Sequence, residues 1–61
     1  MNDAQLGALQ EARYLAEVLI TNPTPENFAL YRRAVTNLST LLGVEVEEAT
    51  QAVTKLIDNQ F

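Results

Sequence analysis

Apolar positions fall into three groups along the chain, each repeating at helical spacing, with polar breaks between them. In the middle group, at about 100° per residue, Leu30, Leu41, Ala34, Leu38, Tyr31, Leu42, Val35 and Phe28 share one arc of the helical wheel. Arg32, Thr36, Thr40, Arg33 and Glu26 share the other. Both ends of this segment are marked. Thr24 can accept from free backbone N–H groups, and Pro25 suits the first helical position, where a missing N–H costs nothing. Gly43 supplies the left-handed residue that closes a helix cheaply. The pattern predicts a central helix over 25–42.

The first group predicts a helix over 3–21, with Asn2 or Asp3 as its cap. Its apolar residues spread over roughly 200° of the wheel, wider than the usual ~100° stripe. A face that wide implies more than one neighbour, and Ala8, Ala12 and Ala16 would let another helix approach closely. Thr21-Asn22-Pro23-Thr24-Pro25 breaks the chain, because each proline forbids helix continuation and pushes the preceding residue toward extended geometry. So short a connection predicts an antiparallel pair. The third group, 45–59, sets Val46, Ala49, Val53, Leu56 and Ile57 opposite Glu47, Gln51, Thr54, Lys55 and Asp58. Glu45, Glu47 and Glu48 crowd its first turn, where carboxylates meet the positive end of the helix dipole. The expected fold is all-α, a single three-helix domain over 1–61. Its predicted core is Leu15, Leu19, Leu30, Ala34, Leu38, Leu41, Val46, Val53 and Leu56.

Size sharpens this picture. A chain of 61 residues buries only about 60% of its unfolded surface, which leaves a lone copy marginal. Without cysteine or histidine, disulfides and the common metal sites are excluded as remedies. No cofactor is implied. Self-association is the expected stabiliser, a homo-oligomer and first of all a dimer, through Leu6, Leu9, Ala12, Ala16 and Ile20 on the first helix. A net charge of −4 repels phosphate backbones and anionic lipid, so neither nucleic acid nor membrane is the expected partner. No apolar run approaches the ~20 residues of a membrane span, and the first residues lack a signal-peptide layout. The cytoplasm is the simplest location.

Catalytic equipment is thin: the commonest general base and the strongest nucleophile are missing. A domain this small does not easily enclose the several hundred Å³ that ligand sites take, so neither an enzyme nor a small-molecule substrate is expected. Tyr31-Arg32-Arg33 is the one basic cluster. Arg and Tyr are enriched where interfaces carry energy, which makes Tyr14, Arg32, Arg33 and the apolar Phe61 the candidate contacts to another protein.

Leu38-Ser39-Thr40-Leu41-Leu42-Gly43-Val44, followed by Glu47-Glu48-Ala49-Thr50-Gln51-Ala52-Val53, resembles a helix-turn-helix unit. That resemblance implies a DNA-binding regulator whose recognition helix presents Glu47, Glu48, Gln51 and Lys55. Only Lys55 there suits phosphate, so this is the alternative reading. A further alternative, an acidic mimic of nucleic acid, needs carboxylates massed on one face, whereas the eight here are spread over three helices. The leading expectation is a small, non-catalytic protein-interaction module: an adaptor, a small assembly subunit or an inhibitor, of phage or bacterial type.

Overall fold

Each helix boundary predicted from the sequence lies within one residue of its place in the computed structural model, which describes residues 1–59. The helices are α1 (Asp3–Thr21), α2 (Pro25–Leu42) and α3 (Val46–Asp58), and no strand occurs among the described residues. Asn2, not Asp3, caps α1. Its side chain accepts the Gln5 N–H at 2.8 Å, and the Gln5 side chain accepts the Asn2 N–H at 3.0 Å, a reciprocal capping box. Gln5 does one thing more. Its Nε2 donates to the Leu41 carbonyl at 2.8 Å, in the last turn of α2 where carbonyls lack helical partners. One side chain thus closes the start of α1 and clasps the end of α2.

At the opposite end, Thr24 Oγ1 accepts the Asn27 N–H at 3.1 Å and Asn27 Nδ2 donates to the Asn22 carbonyl at 2.8 Å. Pro25 occupies the first turn of α2. The connection is therefore held by its own polar groups and brings α2 back antiparallel to α1. At the second corner, Gly43 takes φ +70°. The Gly43 N–H donates to the Thr40 carbonyl at 3.3 Å and the Val44 N–H to the Ser39 carbonyl at 3.1 Å. These two bonds form the Schellman pattern that ends a helix through a left-handed residue. Glu45 begins α3 without a side-chain cap bond, so the first-turn carboxylates of Glu47 and Glu48 stabilise that end through the dipole.

All three helix pairs touch, α1 with α2 most extensively. The buried apolar set is Ala8, Ala12, Ala16, Ala34, Val35, Leu38, Ala49 and Val53. Five of these eight are alanine, and the bulky, fully enclosed side chains are Leu38, Val35 and Val53. Ser39 is buried with them, its hydroxyl donating to the Thr36 carbonyl at 2.7 Å. Among the described residues, no buried side-chain oxygen or nitrogen lacks a partner.

Two parts of the sequence reading need correction. Ala12 and Ala16, assigned to a surface between copies, are 0% and 6% exposed within a single chain. Their small side chains admit α2 and α3 rather than a second molecule. Leu30, Leu41 and Val46, assigned to the core, are exposed at 44%, 39% and 44%. On α2 the apolar arc spans roughly 160° at 100° per residue, and two neighbouring helices cover only its centre. Ala34, Leu38, Tyr31, Leu42 and Val35 occupy that centre, whereas Leu30, Leu41 and Phe28 stand at its edges. Leu15, Leu19 and Leu56 are half-buried, and Ala34, Leu38 and Val53 are buried as expected.

Candidate functional site

The surface is where the larger apolar side chains have gone. Because the interior is lined by methyl groups, the leucines, isoleucines and aromatics gather around it at partial exposure. Three of the grooves formed by the described residues lie between helices. One, of about 260 Å³, opens where the end of α1 meets α3, with Leu19, Ile20, Tyr31, Val53 and Ile57 in its walls. A second, of about 370 Å³, runs between α2 and α3 past Phe28, Tyr31, Arg32, Val35, Thr36, Val46 and Thr50. Tyr31 lines both. The third, of about 330 Å³, lies between α1 and α2, where Glu11 and Arg33 flank Leu15 and Leu30.

The residues expected to bind another protein do not converge. Arg32 and Arg33 sit on different flanks of α2 and line different grooves. Tyr14 is 62% exposed beside Glu17, Val18 and Thr21, away from both arginines. Phe61 lies outside the described residues. Of the five residues expected between copies, Leu6 and Ile20 are exposed and Leu9 packs partly against the core. Leu6 and Ile20 share a stripe of α1 within about 40° of each other, but Arg13 and Glu17 lie between them and pair at 3.5 Å. The outer face of α1 is therefore not a continuous apolar strip.

What the sequence reading passed over is the exposed pair Phe28 and Val46, both of which line the α2–α3 groove. A signal for Phe28 was present: it stands at one edge of the α2 arc, and arc edges are the first positions left uncovered. The acidic first turn of α3 stands in solvent, with Glu45, Glu47 and Glu48 all exposed. Among the described residues no group of three metal-ligating side chains converges, and no helix is long and apolar enough to cross a membrane. No protein-family model, curated protein or solved structure matches the chain.

Proposed function

We propose that this chain is a small, non-catalytic protein-interaction domain that associates with a second copy of itself and, in that form, docks on another protein. The observation that carries the reading is the inversion of size across the surface. Alanine supplies five of the eight buried apolar residues, while Leu6, Ile20, Phe28, Leu30 and Val46 stay in contact with water. Burial of a large apolar side chain contributes roughly 1.5–3 kcal/mol, and these side chains stay 44–69% exposed in the isolated chain. Single exposed leucines are ordinary on any protein. Here Ile20, Phe28 and Val46 line two grooves that share Tyr31 as a wall, and a groove is the form in which apolar surface serves recognition.

Duplex DNA is a poorer fit. The helix after the Gly43 corner leads with Glu47 and Glu48, and a duplex would have to accept both against its phosphates. Light scattering across concentration tests the self-association: a dimer mass at tens of micromolar is expected, and a monomer mass at high micromolar concentration would remove the claim. Titration against duplex DNA at low salt addresses the other class, with no binding expected.

A further inference from the structure

The groove where the end of α1 meets α3 differs from the others in its electrical setting. Beyond its apolar walls and the Tyr31 ring, its lining holds Thr54 and Asp58. The Thr54 hydroxyl donates to the Thr50 carbonyl at 3.0 Å, which leaves Asp58 as the one charged group. Asp58 is exposed, and the one ion pair among the described residues is Arg13–Glu17.

The helix ends add to that charge. Ile20 is the last residue but one of α1 and Asp58 the last of α3, so two helix C-termini border the same groove. Each carries a partial negative charge from carbonyls that lack helical partners. No basic residue stands in the last turn of α1. Lys55 does so in α3, but it lies about 160° round that helix from both Val53 and Ile57, which line the groove. The first turn of α2 follows α1 at this end, and Glu26 there offsets its positive pole. A carboxylate in a last turn also opposes the dipole of its own helix. Asp58 is therefore unfavourable to the isolated chain, and a cation docked beside it removes the conflict.

Resting on the protein-docking reading above, we propose that this groove takes a segment of a partner protein that sets an apolar side chain beside a lysine or arginine. The side chain lies against Leu19, Val53 and Ile57, and the cation meets Asp58 and the two helix ends. Charge complementarity selects this occupant, because an acidic segment would face a carboxylate and two negative helix poles at once. Size agrees. At about 260 Å³ the groove falls below the roughly 300–1,000 Å³ of small-molecule sites, which suits a side chain or two. Ile20, 69% exposed at the edge, gives the incoming side chain apolar surface to cover.

The test titrates the isotopically labelled full chain with two short amidated amphipathic peptides, read by amide chemical shifts. One is built of leucine, alanine and lysine, and the other carries glutamate in place of lysine. The lysine peptide is expected to shift the amides of Ile20, Ile57 and Asp58, more weakly as salt rises, and the glutamate peptide to leave them in place. Asp58→Asn should weaken that binding about threefold and Asp58→Lys roughly tenfold. Neither change should lower the melting temperature, since Asp58 opposes its own helix. Glu47→Gln, at the other end of α3, should bind as the wild type does. If both peptides bind equally, or Asp58→Lys binds the lysine peptide as tightly as the wild type, the inference is overturned while docking stands. Shifts confined to either groove along α2 have the same meaning. If these amides move with the chain's own concentration instead, a second copy fills the groove and the inference is again overturned. Should neither peptide shift any amide at millimolar concentration, the docking reading falls together with this seat.

Discussion

Ala12 is the position where a single methyl group decides how close the helices come. Because it is fully enclosed, Ala12→Leu has nowhere to place three further carbons, and overpacking of this kind costs about 1–3 kcal/mol. At 61 residues each kcal/mol corresponds to about 8 °C in melting temperature, so thermal denaturation followed by circular dichroism should show a drop of at least several degrees. An unchanged melt would mean that Ala12 faces outward. Gln5 allows a finer test. Gln5→Glu retains an oxygen for the Asn2 N–H but loses the donor to the Leu41 carbonyl. It also brings a negative charge to the negative end of α2. A loss of about 1 kcal/mol is expected in urea denaturation, and it should shrink in high salt, which screens the charge.

At the scale of the helices, the two glycines predict opposite outcomes. Gly7 lies inside α1, and a methyl group added there would meet nothing within 4 Å. Gly7→Ala should therefore stabilise the chain by about 0.5–1 kcal/mol through helix propensity alone. Gly43 has equally open surroundings but a φ of +70°, so Gly43→Ala should destabilise it by about 1–2 kcal/mol through backbone strain. Urea melts of the two variants should move in opposite directions, and movement in the same direction would contradict this account of the corner. These local features were legible in the sequence because each is written in a few neighbouring residues: Thr24-Pro25, the Asn2-Asp3 cap, and Gly43 after Leu41-Leu42. The partition of apolar residues was less legible. A helical wheel gives the direction of a face but not how much of it the neighbours cover. Ala16 and Leu30 were misplaced for the same reason, since small side chains sink to the contact line between helices and large ones are pushed to its margins. The clasp from Gln5 to Leu41 spans 36 positions and leaves no local pattern to read.

For the molecule as a whole, self-association couples folding to concentration. A dimer that forms only from folded chains gains about 1.4 kcal/mol for each tenfold rise in protein concentration. The melting temperature should climb by several degrees between 10 and 100 micromolar, a range set roughly by that arithmetic. A concentration-independent melt of the wild type would argue for a stable, solitary chain. The alanine seam between the helices carries one more thermodynamic consequence. The heat-capacity increment of unfolding follows the oily area newly wetted, at about 0.45 cal/mol/K per Å², and residues as small as alanine contribute little of it. Calorimetry of the separated chain should therefore give an enthalpy near or below the ~40 kcal/mol typical of this length. The transition should be spread over tens of degrees, and the curve of free energy against temperature should stay shallow well below the midpoint.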